Sequence, residues 1–235
     1  MGLRTLVTLA AAMVAVTFAS LAGAARQATV SPPSVVGSGT IAWSSIAPRT
    51  APSTSAPRVT VLPQFRPDYR PQVVMAIEAK LSAEGTPTWY RISIPGRPNG
   101  RTGWVPAASL ELQNVDRSLV VYRGARRFEF RVGDKIVRTG RIAVGAPGAE
   151  TPLGLFYVTW RFKPKAPILG AFAFETSAYS NLTDWPGGGI VGVHGTNSPW
   201  LLGQAVSHGC VRMHDRDAMA LSRLMKLGTP ILIRA

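Results

Sequence analysis

The chain has 235 residues, a single cysteine, and 26 basic against 12 acidic side chains, a net charge of +14 in which arginine dominates. One thiol cannot build a disulfide framework, and a length near one large or two ordinary domains excludes a small cysteine-stapled fold. So large a positive field favours polyanions in general, and the absence of blocks of like charge points to arginines spread over strand faces rather than to a binding tail.

The first 25 residues read as an export signal or N-terminal anchor: Arg4 precedes an uncharged run from Leu6 to Ala25 that closes on Ala22-Gly23-Ala24. Export places the chain in the periplasm or cell wall and argues against nucleic acid as its polyanion. Anionic cell-wall polymers fit instead, with the membrane reached only through the anchor. Residues 26–57 are rich in Ser, Pro, Ala and Thr without sustained periodicity, and are expected to be a linker. Residues 58–113 carry short apolar runs punctuated by Pro, Gly and Asn, which predict small antiparallel strands with turns at 63–71 and 95–103. The stretch WYRISI…GRTGWVPAASLEL resembles bacterial SH3-like domains. The resemblance implies a small β-barrel that binds wall or packs on its neighbour, with Trp89 and Trp104 expected in its core.

From residue 117 to the C-terminus the β signal strengthens. SLVVYR, RRFEFRV and KIVRTGRIAVG are strand-like, with Gly133-Asp134 as a hairpin turn. Alternation in RFEFRV sets Phe128, Phe130 and Val132 on one face and charges on a face expected to be wet. A Pro/Gly-rich stretch (163–189) precedes the strand GIVGVHG. One helix is expected from Asp215, which is placed to cap it, with Asp217 at its positive end, Leu221, Leu224 and Met225 on one face, and Gly228 as its stop. The strand PILIRA closes a fold expected to be mainly β: a small barrel, then a mixed-sheet sandwich with one prominent helix.

All three histidines, His194, His208 and His214, fall close to Cys210 in the chain. An unperturbed thiol is mostly protonated at neutral pH, so a nucleophilic cysteine needs a base or a positive neighbourhood. His194 ends a strand, and a loop can return the chain so that its imidazole meets the sulfur. Gly209 permits a tight turn before Cys210, and nearby amides can face an oxyanion, an arrangement suited to acyl transfer. Three other readings stay open here: a buried, inert cysteine, a zinc site built from the His/Cys set, and a wall-binding module without catalysis. His208 reads as a hydrogen-bonded structural residue, and Arg212 as a partner of Asp215 or Asp217 as readily as of a substrate.

The run VHGTNSPWLLGQAVSHGCVRMHDRDAMAL resembles the catalytic motif of the YkuD family of L,D-transpeptidases, and Thr151 to Phe156 resembles that family's Thr-Pro-x-Gly-x-(Phe/Tyr) turn. The resemblance implies that Cys210 attacks the third residue of a peptidoglycan tetrapeptide stem and forms a thioester, which an amine of a second stem resolves into a 3→3 cross-link. It implies that His194 is the base, held through its other nitrogen by the Gly195 carbonyl. Ser207, His208 and Gly209 then shape the thiol pocket and part of the oxyanion site, while Arg212 supports the pocket or meets a substrate carboxylate. Asn197 and Trp200 lie in the loop expected to border the cleft, as substrate contacts or, for the tryptophan, packed on its own scaffold. Partners are stem peptides and glycan, with no metal or organic cofactor. The same acyl-enzyme also serves L,D-carboxypeptidation or attachment of a wall protein. Where the family often has Asn, this chain has Asp215, with little effect expected.

Overall fold

The computed structural model describes residues 35–184 and 187–235. The expected signal or anchor at 1–25 lies outside the described residues, as does the beginning of the expected linker. Among the described residues no helix is long and apolar enough to cross a membrane.

The first part is built from β1 (Gly37–Ile41), β2 (Ser45–Ile46), β3 (Leu62–Pro63), β4 (Val73–Leu81), β5 (Pro87–Ser93), β6 (Thr102–Pro106) and β7 (Leu110–Gln113). All but β2 and β3 form an antiparallel sheet in the order β6-β5-β4-β1-β7, and β2 pairs with β3 as a ribbon. Ile41, Val74, Ala76, Ile92, Ile94 and Val105 make its core. Residues 37–41 therefore correct the linker expectation, because β1 is an inner strand between β4 and β7. Its composition misled for a physical reason. A Cβ on Gly39 would stand 1.7 Å from the Glu111 carbonyl oxygen, so the glycine reflects close strand approach and not flexibility. Trp89 and Trp104, expected in the core, are only half-buried.

The second part contains β8 (Arg117–Tyr122), β9 (Arg127–Val132), β10 (Lys135–Gly145), β11 (Gly154–Phe162), β12 (Ala173–Tyr179), β13 (Ile190–His194), β14 (Ala205–Ser207), β15 (Val211–Met213), the helix α1 (Asp215–Leu224) and β16 (Pro230–Arg234). Gly133 has φ +53 in the two-residue β9–β10 turn. The sheet order is β14-β10-β15-β13-β12-β11-β16-β8-β9, and β10 also pairs with β9, so the ladder closes on itself in a barrel-like ring. The long β10 makes closure possible: its first half pairs with β9 and its second half turns to β15 and β14. Phe128, Phe130, Phe156, Phe174, Val193 and Leu221 fill the interior, α1 contributing through Ala218 and Leu221 and the residue after it, Met225, joining them.

The face of β9 opposite Phe128 and Phe130 is not wet. Glu129 and Arg131 are buried and paired at 2.6 Å, with the Tyr122 hydroxyl donating to the same carboxylate at 3.0 Å. Burial of such charges is tolerable only with this pairing. The strand β12 arises in the Pro/Gly-rich stretch where no strand was expected.

The two parts are joined without a gap. The Tyr157 ring on β11 packs with Val73 and Met75 of β4, and its buried hydroxyl lies within hydrogen-bonding reach of the Val73 and Ser93 carbonyls. Arg66 and Arg70 both reach Glu175 on β12, and the Arg70 guanidinium lies 4.3 Å over the Trp160 ring.

Candidate active site

The site forms where β13 and β15 lie parallel, with Val193 opposite Val211 and His194 opposite Arg212. Alternation along β13 turns Val191 and Val193 into the core and leaves Gly192 and His194 on the other face. Cys210 sits at the entry to β15. Its sulfur accepts the Gly192 N–H at 3.3 Å. A Cβ on Gly192 would stand 3.5 Å from the His194 ring carbon Cδ2 and 3.7 Å from the Cys210 sulfur, so imidazole and thiol lie on either side of the Gly192 position.

His194 is 3% exposed, and its Nδ1 lies 2.6 Å from the Gly195 carbonyl. A carbonyl only accepts, so Nδ1 carries the proton and Nε2 keeps its lone pair. Burial pushes this imidazole down to about 4; the Gly195 carbonyl opposes that shift, Arg212 reinforces it and Asp215 resists it. Burial likewise pushes the Cys210 thiol up, against the pull of the Gly192 N–H and the Arg212 charge. Cys210 as a residue is half-buried. At neutral pH the resting pair is thus a thiol beside a neutral imidazole, not a preformed ion pair.

This burial has a measurable consequence for folding. An unfolded imidazole titrates near 6.5, so between 6.5 and about 4 the unfolded chain binds a proton that folded His194 does not. The contribution is complete above 6.5 and is lost as the pH falls through that window, about 3 kcal/mol in all. Urea unfolding as a function of pH is expected to show this slope, and His194→Gln to remove it.

The turn before Cys210 is held from two sides. Ser207 Oγ donates to the Cys210 carbonyl at 2.6 Å and accepts the Gly209 N–H at 3.1 Å. Gly209 adopts φ +114, a conformation that favours glycine. From the other side the Thr151 hydroxyl donates to the Gly209 carbonyl at 2.8 Å and accepts the Gly145 N–H at 2.9 Å. With its N–H taken by Ser207, Gly209 is not a free oxyanion donor; the expectation for Ser207 and Gly209 narrows to shaping the turn.

Asp215 does something the sequence reading missed. It opens α1 rather than capping it, the cap position being His214, and its Oδ1 accepts the Ala171 and Thr196 N–H groups at 3.0 Å each. The carboxylate thereby ties together the two loops that flank the Gly195 carbonyl. Asp217 is buried against Arg138 at 2.6 Å, which leaves it no role as the partner expected for Arg212. Arg212 is half-buried, and its Nε has no hydrogen-bond partner.

His208 is exposed, as are Asn197 and Trp200 on the loop after β13; Trp200 is 71% exposed, and Asn197 Oδ1 accepts the Ser198 hydroxyl at 3.1 Å. The geometry thus brings together Cys210, His194, Gly195, Ser207, Gly209 and Arg212, and adds Thr151, Gly192 and Asp215. Among the described residues no group of three or more His, Cys, Asp or Glu side chains is placed to hold a metal ion.

The chain is similar to known proteins. The sequence profile of the YkuD L,D-transpeptidase catalytic domain matches residues 116–233. A Bacillus subtilis (strain 168) protein named as the L,D-transpeptidase YkuD is 29% identical over 167 residues, covering 71% of this chain and 88% of the relative. A Bacillus licheniformis protein of the same name is 36% identical over 100 residues, covering 43% of this chain and 54% of the relative. Among solved structures, an L,D-transpeptidase from Mycobacterium smegmatis is similar with a TM-score of 0.44 and 16% identity, covering 69% of this chain and 90% of its own. The profile takes in half of the chain, from β8 to β16, and the protein belongs to the YkuD family of L,D-transpeptidases.

Proposed function

We propose that the protein is an exported, cysteine-dependent L,D-transpeptidase that acts on peptidoglycan stem peptides through a thioester at Cys210. The observation that carries this reading is the buried His194 imidazole, pinned at Nδ1 by the Gly195 carbonyl and placed across Gly192 from the sulfur. As sulfur attacks the carbonyl carbon of the third stem residue, the thiol proton passes to Nε2. The carbonyl electron pair moves onto oxygen, and its return expels the terminal D-alanine, whose amine takes the proton from the imidazolium. A second stem's amine then displaces sulfur, giving its proton to Nε2 and leaving a 3→3 cross-link. Water in place of that amine gives carboxypeptidation. The Gly192 N–H and the Arg212 charge support the developing thiolate. The SH3-like assignment of the first sheet and its contact with the wall belong to the same proposal.

Mass spectrometry of the protein mixed with a tetrapeptide-bearing muropeptide tests it. An acyl adduct on Cys210, accompanied by release of D-alanine and absent from Cys210→Ala, is the expected result. A folded wild-type protein that forms no adduct and releases no D-alanine overturns the reading.

A further inference from the structure

The loop between β5 and β6 reaches from the first sheet into the catalytic half. Arg97 lies on it at the surface. Its Nη2 donates to the carbonyls of Ser180 and Leu182 at 2.8 and 2.9 Å, and its Nη1 to that of Gly188 at 2.9 Å. The guanidinium also lies 4.9 Å over the Tyr179 ring. Two residues on, the Asn99 side chain donates to the Tyr179 carbonyl at 2.7 Å and accepts the Tyr179 N–H at 2.9 Å. An amide that engages both groups of one residue does what a neighbouring strand would do, so Asn99 extends the ladder at the end of β12.

What these two residues hold leads directly to the thiol. Ser180 is 4% exposed, and a Cβ on Gly209 would meet its Cβ and Oγ at 3.0 Å. The backbone that precedes Cys210 therefore rests on Ser180, whose own carbonyl is held by Arg97. Five hydrogen bonds thus tie the first sheet's loop to Tyr179, Ser180, Leu182 and Gly188, and of these residues Ser180 packs against Gly209.

We propose that Arg97 and Asn99 are positioning residues for Cys210: by fixing Tyr179 and Ser180 they set the Gly209 turn and, through it, the sulfur relative to Gly192, His194 and Arg212. The first sheet is then part of the catalytic unit, in addition to the wall contact proposed for it. The proposal deepens the assignment of Cys210 as the reacting group and rests on it for its activity readout. Because Arg97 lies at the surface, its loss frees the carbonyls without emptying a core, and the variant is expected to fold.

Full-length wild type, Arg97→Ala, Arg97→Lys and Asn99→Asp provide the test, with folding followed by circular dichroism. The first readout is the rate of acyl-enzyme formation at saturating donor. The second is the pH profile of Cys210 alkylation by iodoacetamide, which reads this thiol alone because the chain has no other. Arg97→Ala and Asn99→Asp are expected to slow acylation about tenfold or more, the scale at which small displacements act on a reacting pair. Both are also expected to move alkylation to higher pH, as the sulfur parts from the Gly192 N–H and Arg212, with Arg97→Lys intermediate. Folded variants that acylate within about twofold of wild type and keep its alkylation profile would overturn the proposal. If wild type accepts no donor, the proposed function fails on that result, and the alkylation profile alone decides this one: a shift in the variants sustains it and an unchanged profile sinks it.

Discussion

Replacing His194 with Gln is expected to slow acylation of Cys210 by about 10²–10⁴-fold, the range that general base catalysis supplies. Glutamine keeps a polar group of similar reach and removes the lone pair that receives the thiol proton. The wild-type pH profile carries a second signature. Protonation of Nε2 abolishes the base, and burial moves that protonation down to about 4, so the acid limb of acylation is expected near 4 rather than near 6.5. In the glutamine variant the residual rate should follow thiol ionisation and rise towards alkaline pH. An acid limb near 6.5 in the wild type would show that the imidazole works in water and not in the buried setting described above.

Thr151→Val is expected to affect both stability and rate. The Thr151 hydroxyl is fully buried and sits between the Gly209 carbonyl and the Gly145 N–H. Valine fills the same volume and satisfies neither group. Each orphaned backbone group costs about 1–3 kcal/mol, and the Gly209 carbonyl loses the tether that fixes the nucleophile's turn. Thr151→Ser preserves both hydrogen bonds and should restore most of the loss. Thermal unfolding and acylation rate measured on the two variants separate these effects; a valine variant equal to the serine variant in both would mean that the tether is dispensable.

What was legible beforehand was local. The histidines around a lone cysteine, the glycine before it and the apolar face of α1 each lie within a short stretch, and the structure brings Cys210, His194, Ser207 and Gly209 close together. What was hidden depended on distant partners. Gly37 and Gly39 look like linker residues until the carbonyls of β7 are placed against them. Glu129 and Arg131 alternate like surface charges, and only the closed ladder with Tyr122 and Arg127 beside them explains their burial. Asp215 has the composition of a helix cap, yet its carboxylate is claimed by amides 44 and 19 residues away. The strand β12 was lost among prolines and glycines because its neighbours on both sides, β11 and β13, are what define it.

The parallel register of β13 and β15 has a consequence for how such an enzyme diversifies. His194 at the end of β13 and Cys210 at the entry to β15 are aligned by the ladder between two strands, not by the chain that connects them. Under the proposed function, the largely exposed stretch from Asn197 to Trp200 is therefore free to change in length and chemistry while His194 and Cys210 stay where they are, so acceptor preference can evolve there without rebuilding the reaction centre.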